Sequence, residues 1–223
     1  MKYTYLLLLF WINNAFSEMP NPVIRGDRKV AKVALTFDAC PTIPQGKLEE
    51  RVIEILKRTQ TPATLFISGR WAKKQKRLVK KLSQNPLFEI ANHSYSHPHF
   101  LEKKDEEIKW ELEETQKILK SITGKTPTLY RPPFGEYDEN TVKVAKELGL
   151  TTVEYDLPSG DPDPNFTKEV LEKSVVTKAR NGSIVVMHMN TRGIHTGEAL
   201  EEIIKGLKKR GFTLVKVSDL FDR

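Results

Sequence analysis

Short apolar runs alternate with longer amphipathic stretches along most of this chain. The runs KVALTF, ATLFI and SIVVM show little polar alternation, which is typical of strands that are buried on both faces. The longer stretches repeat their apolar residues every three to four positions, which predicts helices with one buried face. The predicted strands cover 32–37, 63–67, 88–91, 128–130, 151–155, 183–187 and 212–215. The predicted helices cover 47–59, 71–83, 105–122, 139–148, 167–180 and 196–210.

Buried strands separated by amphipathic helices indicate a parallel sheet that is covered by helices. About seven strand–helix units follow one another, fewer than the eight of a complete barrel of about 250 residues. We therefore expect an α/β fold, a distorted (β/α) barrel with about seven parallel strands in a single domain. A doubly wound open sheet is the alternative. Nucleotide binding has no support, because neither a G-x-G-x-x-G segment nor a P-loop follows any predicted strand.

The N-terminal segment differs from the rest of the chain. It begins with a basic residue, continues with an apolar run over 5–12, and ends in small residues at the positions that a signal peptidase reads. This pattern predicts a signal peptide over 1–17 and a secreted or periplasmic protein. An uncleaved anchor is the alternative, although the apolar run is too short to span a bilayer. The prediction leaves 18–29 as a lead-in and 30–221 as the functional domain.

Composition narrows the class of protein further. The chain has 223 residues, of which 39% are hydrophobic and 29% are charged, as in globular rather than disordered proteins. Its single cysteine, Cys40, excludes an internal disulfide framework and a zinc site built from several cysteines. The formal net charge of +7 favours an anionic partner. For a secreted protein, an acidic polymer of the cell envelope fits this charge better than nucleic acid, and we expect a monomer without stable membrane insertion.

Polar residues that can carry chemistry follow the predicted strands directly. These residues are Asp38, His93, His97, Arg131, Asp156, Asp161 and His188. The carboxyl ends of parallel strands meet at one edge, where active sites form, so we expect these side chains to share a site. Each residue alone is also explained by a local role, such as a capping carboxylate or a core histidine whose hydrogen bonds are satisfied.

The pair His93 and His97 has the spacing of two metal ligands on one helical turn. Two unrelated loop histidines are the alternative, because this spacing alone is weak evidence. Asp38 ends an apolar strand, where a carboxylate is costly unless it is solvated, paired or bound to a metal. Two histidines and a carboxylate can hold Zn²⁺ and leave a position for water. With a separate histidine as acid, the set predicts metal-assisted hydrolysis.

Five segments together resemble a known family. ALTFDAC, HSYSH, RPPFGEYD, the Asp161 loop and IVVMH occur in the order seen in polysaccharide deacetylases of the NodB-homology type, carbohydrate esterase family 4. The resemblance covers about Lys32–Leu220. It implies a distorted (β/α) barrel that removes acetyl groups from N-acetylglucosamine units of a cell-wall polysaccharide, either peptidoglycan or chitin oligosaccharide.

The resemblance implies a catalytic role for four residues. Asp38 matches the general base that activates the attacking water, and Arg131 matches the arginine that holds this base ionised. His188 matches the general acid that protonates the departing amine. Asp161 matches the aspartate that orients and tunes this histidine.

The resemblance also implies the metal and substrate contacts. His93 and His97 match the two histidine ligands of one divalent metal ion, for which we expect zinc, with cobalt or manganese as alternatives. The backbone N–H of Phe134 matches a donor to the oxyanion, and Pro133 belongs to the same substrate-binding segment.

Two departures from the family pattern affect these expectations. Ala39 stands where the family has a second aspartate that binds the metal, and Pro162 stands where it has a tryptophan. The third metal ligand is therefore open among Asp38, Asp156, water and Cys40. We favour a metal held by the two histidines with Asp38 nearby.

The departures also leave two other functions open. One is a metal-independent relative that acts on a small cyclic amide or imide, which Ala39 favours and the two retained histidines oppose. The other is a sugar-binding module without catalytic activity, which would bind polymer and release no acetate.

Overall fold

The computed structural model describes residues 22–41 and 49–221. The predicted signal peptide over 1–17 and the first two residues of the helix predicted over 47–59 lie outside these ranges. Within them, no helix is both long and apolar enough to cross a membrane.

Strands and helices alternate along the described chain, as the sequence pattern predicts. The strands are β1 Lys32–Ala39, β2 Ala63–Ile67, β3 Phe88–Asn92, β4 Leu129–Tyr130, β5 Thr151–Thr152, β6 Leu157–Pro158, β7 Ser183–His188 and β8 Thr213–Val215. The helices are α1 Glu50–Arg58, α2 Gly69–Lys74, α3 Lys76–Ser83, α4 Asp105–Thr123, α5 Glu139–Glu147, α6 Lys168–Lys178 and α7 Thr196–Lys209.

All these strands belong to one parallel sheet, in the order β5-β4-β3-β2-β1-β7-β6, with β8 beside the first residues of β1. Between the described residues no ladder joins β5 to β6, so the sheet curls without closing. The predicted distorted (β/α) barrel is confirmed.

The region of the predicted fifth strand differs from the prediction. Only Thr151 and Thr152 form β5, although the Val153 N–H still donates to Tyr130 O of β4 at 2.7 Å. On the opposite edge, the Glu154 N–H donates to Val23 O at 2.7 Å. The chain next turns to pair β6 with β7. The pattern of one strand cannot show such a change of partner.

The helix predicted over 71–83 is in fact two helices. Gln75 separates α2 from α3, with φ −113° and ψ 32°. Both helices bury apolar residues, Trp71 and Ala72 in the first and Val79 and Leu82 in the second, so the apolar pattern runs across the break.

The two faces of β1 show how the sheet positions chemistry. Leu35, Phe37 and Ala39 pack into the large cluster between sheet and helices, whereas Ala34 packs into the cluster inside the barrel. Side chains alternate along a strand, so Asp38 shares the interior face with Ala34. The side chain of a polar residue at the carboxyl end of this face therefore points to the end of the barrel where the carboxyl ends of the strands meet.

Candidate active site

The carboxyl ends of β1, β3, β4 and β7 meet at a cleft of about 270 Å³. Its lining includes Asp38, His93, His97, Arg131, Asp161 and His188, so most of the predicted strand-end residues do come together. Asp156 does not line the cleft. Its carboxylate accepts hydrogen bonds from Arg28 at 2.7 Å and from the Ile184 N–H at 2.8 Å, near the opposite end of β7.

Asp38 and Arg131 form a buried ion pair at the end of β1. Arg131 Nη1 donates to Asp38 Oδ1 at 2.8 Å and to Thr36 Oγ1 at 2.8 Å, and the guanidinium lies 4.0 Å from the centroid of the Phe66 ring. Burial acts to raise the pKa of Asp38, but the charge of Arg131, the neighbouring histidines and the hydrogen bond from Arg131 together outweigh it and lower this pKa. Asp38 is therefore an ionised carboxylate whose Oδ2 is not engaged by the arginine.

His188 ends β7 beside Asp38, its partner in the β1–β7 register. Its Nδ1 lies 2.9 Å from Asp161 Oδ1, while Asp161 Oδ2 accepts from the His188 backbone N–H at 2.6 Å. Hydroxyl groups of Ser159 and Thr196 also donate to this carboxylate, at 3.1 and 2.6 Å. The carboxylate fixes the imidazole through Nδ1, so Nε2 is the atom that can exchange a proton with a bound molecule.

The two histidines predicted to bind a metal lie next to each other in the wall of the same cleft. His93 Nδ1 lies 2.9 Å from Arg131 O, which can only accept, so Nε2 carries the lone pair. The ring centroids of His93 and His97 are 4.9 Å apart. Burial lowers the pKa of His93 and lowers the pKa of His97 to about 3. Both imidazoles are therefore neutral at neutral pH, the form that binds a metal.

Cys40 joins these histidines. Its Sγ lies 3.5 Å from His93 Nε2, and the ligand atoms of Cys40, His93 and His97 lie within 4.8 Å of one another. Burial and the nearby Asp38 carboxylate raise the pKa of the Cys40 thiol above its ordinary value. Asp38 Oδ2 lies 3.8 Å from His93 Nε2. The group whose ligand atoms cluster is therefore Cys40, His93 and His97, with Asp38 beside His93 and outside the group, and this donor set fits a zinc-class cation.

The loop with both histidines is held by two residues that the sequence did not single out. Glu111 on α4 accepts hydrogen bonds from the backbone N–H groups of Tyr95 and Ser96, both at 2.7 Å, and from the Ser96 hydroxyl. Asn92 Oδ1 accepts from the Ser94 N–H at 2.9 Å. Ser94 has a φ of 58°, a conformation that needs such support. The signal in the sequence is an acidic residue on the buried face of α4.

The segment after Arg131 forms the mouth of the cleft. Phe134 has a φ of 59° and is 45% exposed, and its ring stacks on His99 with 4.1 Å between centroids. His99 is exposed and lies outside the group of side chains that could hold a metal ion. The lining passes through Pro132 and Phe134, whereas Pro133 is buried and does not line the cleft.

A second buried carboxyl lies behind Arg131. Arg131 Nη2 donates to the backbone oxygen of Glu154 at 3.4 Å. Burial raises the pKa of the Glu154 side chain to about 7, against the effect of the arginine charge. The wall above it contains Tyr155 and Pro162, so a proline occupies the position at which the resemblance leads us to expect a tryptophan.

Comparison with known proteins gives consistent matches. The family model for polysaccharide deacetylase matches residues 25–153. The peptidoglycan-N-acetylmuramic acid deacetylase PdaA of Bacillus subtilis is 31% identical over 210 residues, 93% of this chain and 78% of that protein. A peptidoglycan-N-acetylglucosamine deacetylase of Bacillus cereus is 30% identical over 198 residues, 88% and 70% of the two chains.

A solved structure adds a contrasting relative. A CE4 family pseudoenzyme from Bacillus anthracis superimposes with a TM-score of 0.81 at 30% identity, covering 91% of this chain and 69% of that one. A mutant of that pseudoenzyme is described as having restored enzymatic activity. A similar fold in this group thus occurs both with and without activity.

Proposed function

The chain belongs to the polysaccharide deacetylase family, and on that premise we propose that it removes N-acetyl groups from N-acetylglucosamine units of peptidoglycan. The observation that carries the proposal is the pairing of two buried dyads across one cleft. Arg131 holds Asp38 ionised, and Asp161 holds His188 by its Nδ1. Asp38 and His188 lie opposite each other on adjacent strands. This arrangement places a base and an acid where both can reach one bound substrate.

Each dyad has a defined part in the proposed reaction. Asp38 Oδ2 accepts a proton from the water whose oxygen attacks the acetyl carbon, and Arg131 keeps this carboxylate charged beforehand. The C–N bond then breaks, and His188 Nε2 gives a proton to the departing amine. Asp161 stabilises the imidazolium from which this proton comes. The products are acetate and a free amino sugar.

The remaining predicted residues bind and orient. His93 and His97 would hold one divalent cation, zinc with cobalt or manganese as alternatives, with Asp38 beside it. Such a cation would polarise the acetyl carbonyl and lower the pKa of water. The backbone N–H of Phe134 would donate to the developing oxyanion, and Pro133 would stiffen the segment that presents it.

We also propose where the protein acts. The segment over 1–17 directs it to the outside of the membrane, into the periplasm or the medium, and 30–221 is the catalytic domain. Removal of 1–17, which holds Lys2 and no acidic residue, changes the formal net charge from +7 to +6, and this positive charge favours adsorption to an acidic wall polymer over a neutral one. We propose a monomer without nucleic-acid partners, because the cleft described above needs no second copy to be complete.

Acetate release tests the function. Purified protein is incubated with peptidoglycan and, separately, with chitin oligosaccharides, with and without added metal. We expect acetate from peptidoglycan, an increase with zinc, and the new free amine on glucosamine rather than on muramic acid. Asp38→Asn is the matched negative control. A product amine on muramic acid, or release from chitin alone, would contradict the proposed substrate.

A sugar-binding protein without catalytic activity is the second candidate. Ala39 stands where the family has a metal-binding aspartate, and a pseudoenzyme is among the structural relatives. Under this alternative the protein sediments with peptidoglycan and releases no acetate. Turnover of a small cyclic imide without metal would instead indicate the metal-independent alternative.

A further inference from the structure

We propose that the Cys40 thiolate is the third protein ligand of the metal ion, so that this chain uses a Cys–His–His site in place of the family's Asp–His–His site. The inference rests on the proposed function for the presence of a metal. It assigns a soft ligand, and therefore a different metal preference, to a site whose usual carboxylate is missing.

The direction of the β1 side chains explains why the third ligand is residue 40 and not residue 39, where the family has its aspartate. Ala39 is fully buried in the cluster between sheet and helices, so its side chain points away from the cleft. Cys40 follows on the side of Asp38, with its Sγ 3.5 Å from His93 Nε2. The thiol therefore faces the histidines that the Ala39 side chain cannot reach.

The distances agree with a shared cation. Zn–S bonds of about 2.3 Å and Zn–N bonds of about 2.05 Å at a tetrahedral angle place sulfur and nitrogen about 3.6 Å apart. The separation of Cys40 Sγ and His93 Nε2 is 3.5 Å, and His97 supplies a third donor atom within 4.8 Å of both. His93 Nε2 has its lone pair free, because Nδ1 is committed to Arg131 O. Among the described residues, these three form the group whose ligand atoms lie this close together.

Hydrogen bonds to the backbone hold the thiol in place. The Cys40 carbonyl accepts from Asn190 Nδ2 at 2.8 Å, and Asn190 is fully buried. One residue earlier, the Ala39 carbonyl accepts from the Ser68 hydroxyl at 2.9 Å. These two hydrogen bonds fix the backbone of residues 39 and 40 and so limit the positions that Sγ can take beside His93.

A thiolate ligand also resolves a conflict over Asp38. A carboxylate bound to the metal is a poor proton acceptor, so Asp38 cannot fully serve as ligand and base together. With Cys40 as the anionic ligand, Asp38 Oδ2 stays available for the proton of water. Binding breaks the S–H bond of Cys40, its proton passes to solvent, and the sulfur electron pair goes to the cation.

Metal preference follows from the ligand. Thiolate and imidazole favour zinc and cobalt over manganese, whereas carboxylate and water favour manganese or magnesium. We expect this protein to bind zinc and cobalt far more tightly than manganese.

Cobalt absorption tests the assignment without any assay of turnover. Because Cys40 is the single cysteine of the chain, a thiolate-to-cobalt charge-transfer band in the near ultraviolet can only come from it. We expect this band in the wild type and its loss in Cys40→Ser. Zinc affinity in Cys40→Ser should fall by more than the roughly 10- to 100-fold typical of losing a supporting contact. His99→Ala, outside the cluster, should retain both band and affinity.

Cys40→Asp keeps the test valid if the serine variant folds poorly. It should bind cobalt without the charge-transfer band and accept manganese better than the wild type does. A wild-type cobalt complex without the band, or unchanged zinc affinity in a folded Cys40→Ser protein, overturns the inference. A band without acetate release from peptidoglycan overturns the proposed function instead and leaves this site in place.

Discussion

The two halves of the cleft are built in different ways. The proton-transfer half consists of two charged dyads, Asp38 with Arg131 and His188 with Asp161, each closed by hydrogen bonds of 2.8 to 2.9 Å. The half proposed to bind the metal consists of a thiol and two neutral imidazoles. The first half is electrostatically balanced within the protein, whereas the second presents lone pairs that only a cation would balance.

Because of this difference, a substitution in one half should impair a different function from a substitution in the other half. Removing one member of a buried dyad leaves its partner unpaired and stops proton transfer, but it leaves the metal ligands untouched. Loosening the loop behind His97 weakens metal binding, but it leaves both dyads intact. The two kinds of damage should therefore separate experimentally.

Asp38→Asn should produce the largest effect. The amide cannot take a proton from water, so acetate release should fall by about 10²- to 10⁴-fold. Cobalt binding should remain near that of the wild type, because the cysteine and both histidines are unchanged. Parallel measurement of turnover and of the cobalt spectrum checks this. Near-normal turnover in the folded variant would contradict the base assignment. Loss of cobalt binding would show that Asp38 also contributes to the metal site.

Glu111→Gln should act on the other half. The amide oxygen can still accept from the Tyr95 and Ser96 N–H groups, but the negative charge that strengthens these hydrogen bonds is lost, so the histidine loop should loosen. We expect metal affinity to fall by about 10- to 100-fold, measured by zinc competition. Excess zinc should restore turnover.

Glu113→Gln is the matched control, since Glu113 lies on the same helix and pairs with Lys117 on the surface. Equal affinities in the two variants would show that Glu111 does not position the loop.

Mild acid should distinguish the halves in metal-free protein. The pKa of His97 is about 3 in the folded protein and about 6.5 when unfolded, so the unfolded chain binds more protons between these values. Stability should therefore fall as pH drops below about 6.5, by about 2 kcal/mol at pH 5 from His97 alone. The pKa of Asp38 is lowered in the folded protein, so its stabilising contribution should persist until pH falls below about 3.8.

Urea unfolding at pH 7 and pH 5, with a chelator present, measures this loss. His97→Gln should lose less stability than the wild type over the same interval. The same loss in both proteins would mean that His97 does not titrate in this way.

Phe134→Ala should give the smallest effect. The ring is exposed and stacks on His99, whereas the proposed oxyanion donor is the backbone N–H, which the substitution keeps. We expect KM to rise by about fivefold, from loss of one aromatic contact, with kcat little changed. A large fall in kcat would show that the ring positions the N–H group.

The sequence predicts the residues that line this cleft better than the residues that hold them in place. Parallel strands bring their carboxyl ends together, so Asp38, Arg131 and His188 could be placed from the order of strands alone. Glu111 could not, because its partners are backbone N–H groups of a loop whose conformation the strand pattern does not define. The alternation of β1 also gave no safe direction for Cys40, since this residue lies just past the last residue of the strand.

Long-range pairing explains the errors in the fold. Val23 bridges Val153 on the edge of β5 that faces away from β4, and nothing in the segment 151–155 shows which distant residue pairs with that edge. Asp156 follows the same strand, and contacts with Arg28 draw it away from the cleft.

The register that places Asp38 opposite His188 has a consequence for engineering. The separation of base and acid is set by the spacing of two adjacent strands, and not by the conformation of the surrounding loops. Loops around the mouth that hold neither Arg131 nor Asp161 could therefore be grafted from other deacetylases to redirect polymer choice while the reactive pair keeps its geometry. A slip of β7 by one residue would instead turn His188 toward the helices and bring Met187 inward, so selection in such libraries should act first against changes in strand length.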